Sequence, residues 1–566
     1  MGVYVLLEII PEYISPDEWA DVYRESLELL KSYQGGLMGR AKKHIGSTEV
    51  LIHSRELEHE KQDPEKRKWH VVGDFASKQT GESFILYYDL HHYGKRRNQK
   101  PLEGDDILFH TRDSDSNSDS GRKTVSVFDS KTQGCPYHIP ILAAAMLIED
   151  RFPQYALVSG NINLAQAEEA GNWAQSVLKR KIALPIRVQG KALFQRLARF
   201  RQGEALIEAF NLLFIGTSEE QYAVIFELAD KALVKRWFLH ELKDCKSPSQ
   251  IGAIELYINW LNAADATDGN LKTLCEMACL DAEGPKFDPV EFARGLAGTW
   301  VTIEQSSFEF LGIFSHKEDE IETPYTQFGQ FFLDAGLTGR KIRCHISHDR
   351  VMSILSNLFP EQAVQMEQAL RSRVDSIRQD LSEMRGPAEK FIQKVEEEPK
   401  EEGLESGVEL ESEVESEVEI VDNLIFFDPA QPLSDSKRFI LRAFAYGICE
   451  FRKKIHQLGE DALMVYEGPS ALLAERIARA CSRQGIVLTE DAWEWIIREE
   501  DTTMLQFLIT LTLINNNELK FSTMRKATME NRYLAQEIMR ISEDEKELSE
   551  IADMVKQIED HEKHKS

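Results

Sequence analysis

Three stretches of this chain gather side chains that could do chemistry. Gly134-Cys135-Pro136-Tyr137-His138 sets a thiol and an imidazole three residues apart, directly before the apolar run from Ile139 to Ile148. A thiol at a helix start gains from free backbone amides and the positive end of the helix dipole, both of which favour thiolate. Cys135 and His138 are therefore the candidates for nucleophilic or redox thiol catalysis. Cys344-His345-Ile346-Ser347-His348-Asp349 packs soft sulfur and imidazole into six residues, a donor set that suits zinc. A closed site needs a fourth ligand, for which Asp349 is a nominal candidate. If the segment leading to Ile346 is extended, alternation sends Cys344 and His345 to opposite faces. A cap by Ser347 at the start of the next helix is then the ordinary reading, and a metal site at Cys344, His345 and His348 the alternative. Cys275 and Cys279 lie one helical turn apart among Leu274, Met277, Ala278 and Leu280, which reads as core without a redox role.

The order Cys135-Pro136-Tyr137 resembles the start of the glutaredoxin active-site motif. Pro185-Ile186-Arg187-Val188-Gln189-Gly190-Lys191, preceded by Ala183-Leu184, is similar to that family's proline-led strand and turn. The resemblance implies disulfide exchange through Cys135. It spans about 60 of 566 residues, His138 stands where the second cysteine would be, and the glycine pair after the strand is missing. Exchange without a resolving thiol needs an outside partner. The plainer reading is a turn proline at a helix start with His138 as a polar cap. The chain has no GxxxxGK[ST] loop, GxGxxG turn, GxSxG elbow or HExxH helix, and His240-Glu241 is followed by Asp244 where a zinc helix places its second histidine.

Charge is uneven. The chain carries −28 overall, and residues 396–422 alone hold twelve Glu, one Asp and one Lys, a net of −12. Such a field disfavours nucleic acid and anionic lipid as partners. Arg180, Lys181, Arg187, Lys191, Arg196, Arg199 and Arg201 form the most extended basic concentration. It reads either as a solvated helix face or as a receptor for an acidic partner, the tethered Glu-rich segment included. Tyr87, Tyr88, His91, His92 and Tyr93 read as sheet packing. Seven scattered cysteines without a CxxC pair fit reduced thiols in a cytosol. The longest apolar runs, 139–148 and 505–514, fall well short of the ~20 residues of a membrane span. Met1 to Ile10 reads as a first strand rather than a signal peptide, so the expected location is cytoplasmic.

These side chains need elements to hold them, and the patterns predict an α+β chain in five parts. Residues 1–134 read as a mixed α+β sheet module, with a strand over 3–10, a helix opened by Ser15-Pro16, β-rich stretches at 50–53, 69–72, 83–90 and 123–128, and a polar loop at 112–122. Residues 135–202 read as an α/β unit with strands at 155–159 and 182–188. Residues 203–395 are mainly helical, interrupted by β-rich stretches at 299–315 and 340–346. Leu370, Val374, Ile377, Leu381 and Met384 recur with coiled-coil spacing before Gly386-Pro387, which should kink or end that helix. The expectation is a helix lying on its own domain, with self-association through the seam as the alternative. Residues 396–422 form an acidic disordered linker, its last part near 418–427 pairing as a strand. Residues 423–566 form a C-terminal all-helical domain, with Ser434 and Thr489 as caps and Leu548, Ile551, Val555 and Ile558 on the face of the last helix. Two folded halves on a swinging tether, with no convergent catalytic set, point to a non-enzymatic cytosolic interaction or regulatory protein. A protein partner is expected and no cofactor. A thiol-dependent redox enzyme at Cys135 and His138, and a zinc-binding protein, are the alternatives.

Overall fold

The computed structural model describes residues 3–94, 107–109, 124–263, 268–308, 341–397, 423–457, 463–514 and 519–552. The acidic linker expected at 396–422, apart from its first two residues, lies outside them, as do the loop at 112–122, residues 309–340, and Val555 and Ile558. The fold is α+β. No helix among the described residues is long and apolar enough to cross a membrane. The chain divides into two compact units: residues 1–33, 63–66 and 81–404 form the first, and residues 34–62, 67–80 and 405–566 the second.

In the first unit, β1 (Tyr4–Ile9) is the middle strand of three, antiparallel to both β7 (Val125–Lys131) and β8 (Ala156–Gly160). The register with β7 slips between Leu7 and Glu8. Helices α1 (Pro16–Lys31), α3 (His138–Arg151) and α4 (Leu164–Leu178) pack with this sheet. A short turn, α2, covers His91–Gly94. Helix α3 is apolar all round and buried from His138 to Glu149, as a helix enclosed on every side must be. Asn163 and Gln166 exchange bonds as a capping box at the start of α4.

The expected strand at 182–188 is absent: the chain there runs extended into a single 3-10 turn, Ile186–Val188. Pro185 has no N–H to give a ladder, and the Ile186 N–H donates instead to Glu149 Oε1 at 2.7 Å. Beyond it come α5 (Gly190–Leu197), α6 (Glu204–Leu213), α7 (Ser218–Leu228), α8 (Lys231–Lys243), α9 (Ile251–Ala263), α10 (Asp268–Cys275), α11 (Pro289–Ala297), α12 (His348–Leu358) and α13 (Ala363–Glu397). Their shared core includes Phe210, Phe238, Tyr257, Trp260 and Phe292. Met366, Leu370, Val374, Ile377 and Leu381 of α13 are buried in this same core, so the heptad seam lies on its own unit, mainly against α11. Helix α13 continues through Gly386-Pro387, where the sequence predicts a kink or stop. Residues 299–308 form turns rather than a strand. The segment 341–347 is extended without a ladder: Asn262 brackets it, donating to the Lys341 carbonyl and accepting from the Arg343 N–H, each at 2.8 Å.

In the second unit, four strands from early in the chain, β2 (Leu37–Ile45), β3 (Thr48–Ser54), β4 (Glu58–His59) and β5 (Lys68–Asp74), join the late strand β9 (Leu488–Thr489) in the order β4-β5-β2-β3-β9. The β2/β3 hairpin turns at Gly46-Ser47, where Gly46 takes a φ of +59°, the left-handed conformation that tight hairpins require. Strand β6 (Thr80–Tyr87) belongs, apart from Thr80, to the first unit. Ala41, Ile45, Val50 and Ile52 point from one face of the sheet into a core with Leu441, Ile448, Ile477 and Trp493. That core belongs to α14 (Asp435–Gln457), α15 (Ser470–Gln484), α16 (Glu490–Arg498), α17 (Thr502–Leu513), α18 (Leu519–Glu530) and α19 (Arg532–Glu543). Thr489, Asp501 and Asn531 cap α16, α17 and α19 with side-chain bonds. The part of the chain read from sequence as a separate helical module thus closes over a sheet, and residues 34–80 supply four of its strands.

Candidate functional site

The first pair of sequence candidates is placed as follows. The Cys135 N–H donates to the Thr132 carbonyl at 3.1 Å and the His138 N–H to the Cys135 carbonyl at 2.8 Å, so the thiol sits in a tight turn before α3. Both residues are buried. His138 is the first residue of α3, and its Nδ1 lies 2.8 Å from Thr132 Oγ1, while Nε2 has no hydrogen-bond partner. It makes no cap bond: the cap position belongs to Tyr137. Burial pulls the imidazole down to about 4. It is neutral at physiological pH and brings Cys135 no positive charge.

In the second cluster the side chains alternate as extended geometry dictates. Ile342 and Ile346 are buried, Cys344 is half-buried against the core and His345 is exposed. His348 opens α12 after Ser347, whose hydroxyl makes no cap bond. Burial pushes the Cys344 thiol up to about 11. No three His, Cys, Asp or Glu side chains among the described residues converge as metal ligands. Cys279 is likewise pushed up to about 12 by burial, and Cys275 well above the ordinary thiol range.

The basic stretch at 180–201 is largely engaged within the first unit. Arg180 pairs with Glu25 and Asp150, each at 3.0 Å, and Arg187 donates to the Leu213 carbonyl at 2.7 Å. Lys191 meets Glu227 at 2.8 Å, Arg196 bonds the carbonyls of Pro153 and Ile107 at 2.8 and 2.9 Å, and Arg201 lies over the Phe109 ring. These cations tie helices and loops together.

A different arrangement stands out in the second unit. A row of four neighbouring strands carries one basic side chain each, in two pairs: His59 on β4 with His70 on β5, and Arg40 on β2 with His53 on β3, the β2/β5 pairing setting His70 on the Ala41 face. Arg40 and His53 are directly opposed in the β2/β3 register, on the face away from Ala41 and Ile52. The rings of His59 and His70 lie 6.2 Å apart, edge to face. His53 is opposite Thr489 of β9 and feels the charge of Lys526 from α18. His53 is 3% exposed, while His59, His70 and Arg40 are half-buried. Buried nitrogens in all four, Arg40 Nε, His53 Nδ1, His59 Nε2 and His70 Nε2, have no hydrogen-bond partner.

The electrostatics follow. Burial first, then Lys526, Arg40 and His70, pulls His53 down to about 3; burial, then Arg40, His59 and Lys68, pulls His70 down to about 4. His59 is lowered chiefly by burial, with Glu56 and Glu60 opposing. Every charged group acting appreciably on His53 and His70 is basic. The nearest buried carboxylate on the β9 side, Glu530, is engaged with the Thr489 N–H at 2.8 Å and with the Thr489 hydroxyl. Glu58 is bound to Arg67 at 2.7 Å.

Comparison with protein-family models, curated proteins and solved structures finds no match to this chain. Sequence reasoning missed these pairs because their members lie 11 to 13 residues apart and only strand pairing brings them together. The available signal was the density of histidine: four of fifteen, at 44, 53, 59 and 70, within one β-rich stretch.

Proposed function

We propose that this chain is a non-enzymatic interaction or regulatory protein, and that its second unit carries the recognition site. The observation that supports the reading is the two cross-strand pairs, with four buried nitrogens lacking protein partners. A buried polar group left unpaired costs about 1–3 kcal/mol, so a fold that keeps four near one another favours a polar occupant. The pairs suit binding better than proton transfer. A catalytic imidazole is commonly oriented by a carboxylate, whereas the charged neighbours of His53 and His70 are basic.

The test uses full-length protein and an Arg40→Gln variant in co-elution and cross-linking from the source lysate. A discrete partner held in stoichiometric amount by the native chain and lost from the variant is the expected result. Equal retention by both chains counts against the pairs. In parallel, the protein is incubated with a small-metabolite mixture and followed by NMR. A conversion that Cys135→Ser abolishes would replace this reading with thiol catalysis.

A further inference from the structure

We propose that the second unit holds a binding site for a free α-amino acid with an apolar side chain, in a cavity between α14, α17 and the turn that precedes α15. None of its residues belongs to the basic pairs, so the site stands whether or not those pairs recognise a partner.

The cavity measures about 420 Å³, within the ~300–1,000 Å³ typical of small-molecule sites. Arg452 and His456 line it from α14, Gln506 from α17, and Leu463, Tyr466 and Glu467 from the turn. Arg452 is half-buried, and the exposed His456 stands one helical turn further along the same face. Leu463 and Tyr466 are half-buried and give the cavity an apolar wall, against which a leucine-like or aromatic side chain can pack.

Charge selects the ligand. Among the described residues, the Arg452 and Glu467 side chains form no hydrogen bond or ion pair, with each other or with any other group. Two opposite charges that line one cavity without meeting leave space between them for a molecule that carries both. A free amino acid offers a carboxylate to the guanidinium fork and an ammonium to the glutamate, joined through one carbon. A residue at either end of a peptide has only one of these backbone charges. A plain organic anion pairs with Arg452 but sets like charge against Glu467, and a plain amine does the reverse. Single exposed ion pairs are weak, so a ligand that satisfies both charges at once is the one the cavity distinguishes.

The wall is fixed before any ligand arrives. Gln506 Nε2 donates to the Tyr466 carbonyl at 2.9 Å, and Arg476 of α15 donates to the carbonyls of Val465 and Glu467. The Tyr466 hydroxyl meets Thr510 Oγ1 at 3.2 Å. Gly468, at the end of the turn, takes a φ of +124°, and a Cβ there would lie 2.8 Å from Leu472 Cδ2. A turn held from two helices has little freedom left to lose on binding, so modest contacts suffice for measurable affinity.

The experiment is isothermal titration calorimetry on full-length protein with four probes. They are L-leucine, L-phenylalanine, N-acetyl-L-leucine, which lacks the ammonium, and L-leucinamide, which lacks the carboxylate. Leucine or phenylalanine binds saturably in the millimolar range or tighter, and the two blocked compounds bind about tenfold more weakly or not at all. Arg452→Gln weakens leucine by about tenfold and erases its advantage over leucinamide, whereas Glu467→Gln erases its advantage over N-acetyl-leucine. Lys454→Gln changes binding by less than about twofold, because Lys454 is exposed on α14 outside the cavity lining. Circular dichroism of each variant checks the fold, and the blocked compounds test the native chain without any variant. Equal affinity for leucine and N-acetyl-leucine assigns the cavity to a plain carboxylate, and equal affinity for leucine and leucinamide to a plain amine; either result overturns the proposal. So does the absence of saturable binding by both amino acids, or binding that Arg452→Gln and Glu467→Gln leave intact.

Discussion

At the scale of single residues, Glu149 shows how a charged side chain can serve architecture. It sits near the end of α3, fully enclosed, and accepts from the Val158 N–H on β8 and the Ile186 N–H, each at 2.7 Å. Helix, strand and the following turn thus meet at one carboxyl group. Burial pushes its pKa up to about 7, against the opposing pull of the two backbone bonds and of Arg196 and Arg187. The folded state therefore holds a proton that the unfolded chain releases near 4.5. Stability from this group is present below pH 4.5 and is lost as pH rises through 7, a change of about 2 kcal/mol between pH 5 and pH 7. Glu149→Gln should remove that slope in urea titrations at the two pH values. It should also lower stability by about 1–3 kcal/mol at pH 5, because an amide leaves one of the two backbone donors without its acceptor. A variant whose slope matches the native chain would show that Glu149 is not the group that titrates. Sequence carried no sign of this role: a Glu following an apolar helix looks like an ordinary surface residue until the 182–188 segment is seen not to be a strand.

Elements were legible where local pattern decides them and illegible where distant partners do. Ser15-Pro16 and Thr489 announce helix starts through chemistry confined to a few residues, and the helices begin there. The strands near 50–53, 69–72 and 123–128 were readable from β-branched and aromatic runs. Their partners were not, since β3 pairs in parallel with Leu488 and Thr489 more than 430 residues later in the chain. Alternation of Ala41, Ile45, Val50 and Ile52 reveals an apolar face without saying which helices cover it. The same gap hid the two basic pairs, Arg40 with His53 and His59 with His70, which exist only where β2 pairs with β3 and β4 with β5. The α13 seam illustrates the reverse case. Its heptad spacing allows either a partner helix or the chain's own core, and Leu370, Val374 and Ile377 are buried in the core of the first unit. Leu370→Ala should therefore cost about 2–5 kcal/mol in chemical denaturation while molar mass by light scattering stays the same. A fall in molar mass with unchanged stability would instead assign the seam to self-association.

At the scale of the molecule, the two units should respond differently to acid. In the second unit His53 is held at about 3 and His70 at about 4, whereas an unfolded histidine titrates near 6.5. The unfolded state therefore takes up protons first, and stability present above pH 6.5 is lost as pH falls toward 3. For His53 alone the loss at pH 5 is about 2 kcal/mol. In the first unit, His138, held at about 4, contributes a loss of the same sign and similar size. There, however, Glu149 gains about as much over the interval from pH 7 to pH 5, so the two nearly cancel, whereas in the second unit Glu530, also raised by burial, opposes the combined loss from His53 and His70. Native-state hydrogen exchange, corrected for the intrinsic rate at each pH, reads the units separately in the intact chain. Peptides from 37–54 and 473–541 should lose protection between pH 7 and pH 5, while those from 138–160 keep theirs. His53→Gln should recover much of the protection lost by the second unit at pH 5, because it removes a proton-binding group that only the unfolded state can use. Equal loss in both units would mean that exposed carboxylates, not the enclosed imidazoles, govern the acid response.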